Sequence, residues 1–265
     1  MVRPRKQLGQ HFLHHQSILV RIADALEAPR GADVLEIGPG QGALTAILSD
    51  RGFRVTAIEK DAGLAELVAG RLPAVRVVPG DALEVDWHGL APPGPRYIIG
   101  NIPYNITSPL IGKALAPPMP ARVVFLVQEE VADRIVARPG KADYGALSVG
   151  VQAVARAEKL FKVPAGAFHP PPRVDSAVVR FTPLANPMLP PADSAGFRRF
   201  VTGVFGFRRK QLVRGLRELT SWPADRVQAV LASLGVSPSD RPETQGPASF
   251  VALYRALIDG GARFR

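Results

Sequence analysis

Asp33-Val34-Leu35-Glu36-Ile37-Gly38-Pro39-Gly40-Gln41-Gly42 is the stretch from which the fold is read. The first five residues have the character of a buried strand, and the next five place a glycine at every second position. Residues 43–49 then have the composition of a helix. Glycines at a strand-to-helix turn let a ligand lie close against the backbone. Their spacing is GxGxG, not the GxGxxG of the dinucleotide fingerprint. A Gly-rich turn alone is a weak signal. It gains weight from the next strand, 54–58, which ends in Glu59. An acid about 20 positions beyond such glycines is placed to accept hydrogen bonds from ribose hydroxyls. The plainer role for Glu59 is a charge at the N-terminus of the following helix.

Outward from this unit the same alternation continues. A helix is expected over 62–71 and a strand over 75–78, followed by Asp81 at another strand end. Residues 84–96 read as a loop, with Pro92-Pro93-Gly94-Pro95 as its breaker. A short strand, a helix over 108–115, an apolar strand over 122–128 and a helix over 129–136 come next. Residues 138–144 read as an exposed loop, 148–154 as a sixth strand and 176–181 as a seventh. Strands alternating with helices over about 180 residues predict a doubly wound, mostly parallel α/β sheet. The last two strands lack a long helix between them and predict an antiparallel edge. Upstream, 16–27 have helical spacing with Ser17 as N-cap, and the adjacent His14 and His15 read as surface residues.

After a Pro-rich linker at 183–191 the chain changes character. Residues 193–217 hold seven arginines and lysines against the single acid Asp193, with Phe197, Phe200, Val204, Phe205 and Leu212 as an apolar face. Two more amphipathic stretches, 224–234 and 247–258, complete a small helical domain. The expected division is therefore 1–183 and 184–265. Over the whole chain, 33 Lys and Arg against 23 Asp and Glu leave a net charge of +10. Such a surplus attracts polyanions, and the basic helical segment suits nucleic acid better than a merely solvated face. The chain has no cysteine, which excludes disulfides and thiolate metal sites and fits a cytoplasmic setting. It also has no apolar run long enough to span a bilayer and no apolar segment after the basic N-terminus.

Asn101-Ile102-Pro103-Tyr104 follows directly on the short strand at 97–100. In an open α/β sheet this places an amide, a rigid turn and an aromatic ring at a strand's carboxyl end, where such folds bind ligands. The Asn side-chain oxygen and the Ile102 carbonyl both accept from an amine, and Tyr104 stacks on a planar base. A strand followed by a Pro turn, with Asn101 capping the next helix, is the alternative.

Taken together, seven segments resemble the ribosomal small-subunit RNA adenine dimethyltransferases. They are Leu8-Gly9-Gln10-His11-Phe12-Leu13, Glu36 to Gly42, Glu59, Asp81, Asn101 to Asn105, and two late ones. The late ones are Phe168-His169-Pro170-Pro171-Pro172-Arg173-Val174-Asp175-Ser176 and Phe205-Gly206-Phe207-Arg208-Arg209-Lys210. Each is weak or moderate alone, but seven in the right order are specific. The resemblance implies a class I methyltransferase fold, with a seven-stranded Rossmann-like sheet and a C-terminal helical domain. It implies S-adenosylmethionine as methyl donor, no metal, and dimethylation of two adjacent adenosines near the 3′ end of small-subunit rRNA. Carried across by position, His11 and Leu13 close over the donor and Gly38 lies against its methionine part. Glu59 then holds the ribose and Asp81 the adenine amine, while Asn101 borders donor and target. Asn101, Ile102, Tyr104 and Phe168 form the catalytic group, with Tyr104 and Phe168 sandwiching the target base. Arg208, Arg209 and Lys210 meet RNA. The expected partner is an immature small subunit, met by a monomeric enzyme. His11 stands where Asn is common, and Ile102 replaces the more usual Leu.

Three other functions share some of these features. A relative that methylates a large-subunit rRNA adenine and confers macrolide resistance has the same donor motifs; the Arg208-Arg209-Lys210 segment and the Pro-rich loop after Phe168 favour the small-subunit enzyme. The GxGxG spacing argues against a nicotinamide dehydrogenase. A purely RNA-binding assembly factor would have no need of the catalytic motifs.

Overall fold

The computed structural model describes residues 10–90 and 97–264. Arg3, Arg5, Lys6 and the 92–95 cluster lie outside the described residues. In chain order the elements begin with β1 (Phe12–Leu13), α1 (Gln16–Asp24), β2 (Asp33–Ile37), α2 (Ala43–Asp50) and β3 (Arg54–Glu59). They continue with α3 (Ala62–Arg71), β4 (Arg76–Pro79), α4 (Trp87–Leu90), β5 (Tyr97–Asn101), α5 (Thr107–Ala114), β6 (Arg122–Gln128) and α6 (Glu129–Val136). Then come α7 (Ala146–Gln152), β7 (Ala155–Val163), β8 (Phe168–His169) and β9 (Ser176–Pro183). The last are α8 (Ser194–Gly206), α9 (Leu212–Thr220), α10 (Ala224–Ser233) and α11 (Pro247–Asp259).

Two compact units result, Met1–Ala132 with Ala157–Pro183, and Asp133–Arg156 with Leu184–Arg265. The break after 183 falls where the linker begins, but 133–156 joins the C-terminal helices, unlike the division read from sequence. Tyr144 is the reason. It is fully buried, donates its hydroxyl to the Gln245 carbonyl at 2.8 Å and meets Phe205 edge-on. So the 138–144 loop ends in a core residue. Around it, Phe197, Phe200, Phe250 and Tyr254 form the aromatic centre of this unit.

In the first unit a seven-stranded sheet runs β4-β3-β2-β5-β6-β9-β7. Strands β2 to β6 pair in parallel, and β9 runs antiparallel to β6. Val123 to Val127 of β6 are fully buried, as expected of a strand covered on both faces. The predicted strand count holds, but one strand differs. Residues 148–154 mostly form α7, not a strand. Its N-terminus is tied by the Gly145 N–H to the Ser148 hydroxyl, and that hydroxyl in turn donates to the Arg134 carbonyl. Tertiary burial here overrides the β-branched composition. The missing strand is β7, whose Lys159 and Lys162 pair with Glu129 across its neighbours. Charges at a sheet edge discourage further pairing and hide the strand from a hydrophobicity reading.

From β2 the chain builds outward through β3 and β4, then returns to place β5 on the other side of β2. The strand order therefore reverses between β2 and β5, and a crevice opens at their carboxyl ends. Gly100 keeps that crevice in register. It lies opposite Ile37, and a Cβ added there would sit 2.5 Å from the Ile37 carbonyl oxygen. Gly100→Ala is expected to destabilise the protein by about 1–3 kcal/mol, the usual range for overpacking. A denaturant melt matching wild type would show that β2 and β5 have slack at this point.

Candidate active site

Four strand ends and one short arm build the site. At the end of β2, Gly38, Gly40 and Gly42 all take positive φ, at 67°, 57° and 84°. No L-residue would adopt these angles readily, and a Cβ on Gly40 would come 3.0 Å from the Phe12 ring. The turn thus presents bare backbone. Gly40 N–H donates to Glu59 Oε2 at 3.0 Å, and Asp61 N–H donates to Oε1 at 2.9 Å. Glu59 is only 6% exposed, and burial raises its pKa, with those two N–H groups partly offsetting the shift. Behind the turn, Glu36 is fully buried and its carboxyl is pushed up to about 8 by burial, with the Glu59 charge adding to it. At neutral pH the Glu36 carboxyl is therefore mostly protonated.

At the end of β4, Asp81 receives Lys60 Nζ at 2.7 Å and the Leu83 N–H at 2.9 Å. Lys60, and then the Leu83 N–H, hold its carboxyl below the usual range. Lys60 was not singled out from sequence, although its position directly after Glu59 at a strand end was a usable signal.

At the end of β5, Asn101 Nδ2 donates to the His11 carbonyl at 2.9 Å. That bond sets the amide's orientation, because it commits the nitrogen to the arm and leaves Oδ1 as the acceptor for a ligand. Pro103 leads into a short 3-10 turn, Tyr104–Ile106. The Tyr104 hydroxyl meets Ser176 Oγ at 2.8 Å, and burial raises its pKa. His11 stacks on the Tyr104 ring at 5.8 Å between centroids, and its Nδ1 donates to the Pro170 carbonyl at 2.8 Å.

These groups surround one open crevice at the carboxyl ends of the strands. His11, Gly38, Glu59, Asp81, Asn101, Ile102 and Tyr104 all line it. Leu13 and Phe168 do not. They face each other in the β1–β8 ladder, 6% and 2% exposed, within the hydrophobic core. Phe168 thus packs in the core and does not line the crevice beside Tyr104. The ring on Tyr104 is His11. Among the described residues no group of three His, Asp or Glu side chains gathers as a metal site.

In the second unit Arg208 is also committed. Its Nε donates to Glu243 at 2.7 Å and its Nη2 to the Ala142 carbonyl at 2.6 Å. Arg209 and Lys210 are exposed, as are Arg214 and Arg217 one turn apart on α9, opposite the buried Leu212 and Leu216.

The family model of ribosomal RNA adenine dimethylase matches residues 1–259. The chain belongs to this family. Among its relatives, the ribosomal RNA small subunit methyltransferase A of Bordetella pertussis is 44% identical, with 97% of this chain and 96% of that protein covered. The protein of the same name from Maridesulfovibrio salexigens is 41% identical over 96% of both. A dimethyladenosine transferase from Plasmodium falciparum superposes with a TM-score of 0.82 at 26% identity, covering 96% of this chain and all of that one. The 23S rRNA methyltransferase ErmE superposes with a TM-score of 0.70 at 31% identity, covering 93% and 99%. The fold is that of an α/β class I methyltransferase with a helical C-terminal region, and the family is one of rRNA-modifying enzymes.

Proposed function

We infer that this enzyme transfers methyl groups from S-adenosylmethionine to the N6 amines of two adjacent adenosines near the 3′ end of small-subunit rRNA. The observation that carries the reading is the end of β5, where Asn101, its amide nitrogen engaged by the His11 carbonyl, and Ile102 line the same crevice as Glu59 and Asp81. The crevice suits the donor on three counts. Bare glycine backbone admits its methionine part, Glu59 accepts from ribose hydroxyls, and Asp81 accepts from an adenine amine. The relatives above 40% identity are named for the small subunit, against 31% for ErmE, which favours the small-subunit substrate.

When bound, S-adenosylmethionine supplies a methyl group on a sulfonium, already a good leaving group. The protein's task is the nucleophile. An adenine amine is a poor one, because its lone pair is delocalised into the ring. Hydrogen bonds from its N–H groups to Asn101 Oδ1 and the Ile102 carbonyl favour the pyramidal nitrogen and aim its lone pair. Positioning and preorganised dipoles of this kind supply the rate without a strong base. Tyr104 stacks on the extruded base, which must leave its helix to reach the site.

The second unit holds the RNA through exposed cations. Arg209→Ala with Lys210→Ala should flatten the salt dependence of RNA binding, by roughly 0.7–0.9 in log–log slope per lost phosphate contact. Arg208→Ala should instead lower the melting temperature, since Arg208 is held by Glu243 and Ala142. An unchanged slope in the double variant would place the RNA elsewhere.

The substrate we propose is an immature small subunit in the cytoplasm, met by a monomer. Incubating the enzyme with labelled S-adenosylmethionine and immature small subunits, then mapping the label, tests this directly. Label on a large-subunit adenine, or none on rRNA, would overturn it.

A further inference from the structure

Tyr104 opens a 3-10 turn of only three residues, so little in its local backbone sets the angle of its ring. The contacts around it must do so. One is the His11 ring on its face. The other is at the far tip, where its hydroxyl meets Ser176 Oγ at 2.8 Å across 72 positions of sequence. Ser176 has no exposed surface and is the first residue of β9, opposite Gln128 in β6.

What makes Ser176 a fixed reference is its neighbour. Asp175 Oδ1 accepts from the Ala165 N–H at 2.9 Å, and Oδ2 pairs with Lys162 at 2.8 Å. The Asp175 carbonyl accepts from the Glu129 N–H at 3.0 Å. Lys162 pairs in turn with Glu129 at 2.9 Å. Side chain and main chain of residue 175 are thus tied to three separate segments, and the serine hydroxyl next to it has little freedom. The same loop supplies the Pro170 carbonyl that holds His11 Nδ1. Both contacts on the Tyr104 ring therefore trace back to residues 170–176.

We propose that Ser176 is a positioning residue of the methyl transfer: through the Tyr104 hydroxyl it sets the ring on which the target adenine stacks. The inference rests on Tyr104 being that stacking surface. Ser176 itself has no exposed surface and does not line the crevice. It acts by keeping the tyrosine ring in one orientation, so that the extruded base finds a wall already in place.

The experiment is a cycle of variants read by a fluorescent adenine analogue at the target position of an rRNA hairpin, with donor affinity measured alongside. Ser176→Ala is expected to lower the extruded fraction by about two- to tenfold, the range that one neutral hydrogen bond controls. Tyr104→Phe removes the same bond without touching β9 and should give the same loss, with donor affinity unchanged in both. The double variant should be no worse than either single one, because only one interaction is removed. If the two losses multiply, Ser176 acts through β9 rather than through the tyrosine, and the proposal is overturned. It is equally overturned if Tyr104→Phe extrudes the base normally. Tyr104→Ala separates the two levels. Normal extrusion in that variant removes Tyr104 as the stacking surface, whereas a loss there with none in Tyr104→Phe removes only the role of Ser176.

Discussion

Asn101→Ala is expected to slow methyl transfer by roughly 10²–10³, about 2.7–4 kcal/mol of barrier, while RNA affinity changes little. The asymmetry follows from when the bond matters. The amine is neutral in the ground state, and its bond to Asn101 Oδ1 strengthens as positive charge develops on the nitrogen in the transition state. The effect therefore belongs in the transition state and should lower the maximal rate rather than raise the half-saturating RNA concentration. Asn101 also holds the arm through its Nδ2 bond to the His11 carbonyl. Asn101→Asp separates these contributions, since a carboxylate keeps the acceptor and loses the donor to the arm. Single-turnover assays report the chemical step, and wild-type turnover in Asn101→Ala would remove this residue from the mechanism.

Glu59→Ala is expected to weaken donor binding by about 1.5–3 kcal/mol, the usual worth of hydrogen bonds to a charged group. The same carboxylate also receives the Gly40 and Asp61 N–H groups. Its loss should therefore loosen the glycine turn, and the melting temperature should fall modestly as well. pH gives a second test. Burial raises the pKa of Glu59, so its carboxylate is protonated, and loses its acceptor, at a higher pH than an ordinary glutamate. Donor affinity should accordingly fall as pH drops, and the fall should begin earlier than for an exposed carboxylate. Calorimetry across that range, with Glu59→Gln as reference, measures it. An affinity equal to wild type in a folded Glu59→Ala protein would assign the ribose to another group.

Much of this was legible in the residues. The parallel strands announce themselves because strands covered on both faces must be apolar, and β6 from Arg122 to Gln128 is the clearest case. The crevice was legible because glycines and acids at strand ends have few other uses. What was hidden depended on distant contacts. Whether 148–154 forms helix or strand is decided by Ser148 reaching Arg134, which no local pattern reveals. β7 carries lysines paired with Glu129 and so looks like a polar loop. An aromatic beside a Pro-rich loop reads the same whether its ring faces a ligand or the core, and Phe168 faces the core. Arg208 and Arg209 are adjacent and chemically identical, yet Glu243 singles out the first.

One of the two acceptors proposed for the target amine is the main-chain carbonyl of Ile102. No codon specifies a carbonyl, so no single mutation can delete it; mutation can only shift it. Inherited damage to this half of the site must therefore work by displacing β5 along or away from β2. Inactivating changes of that kind should map to the contact between Gly100 and Ile37, in the sheet rather than at Ile102 itself. A survey of spontaneous inactive variants would find them clustered in the sheet, with position 102 itself tolerant of any apolar side chain of similar bulk.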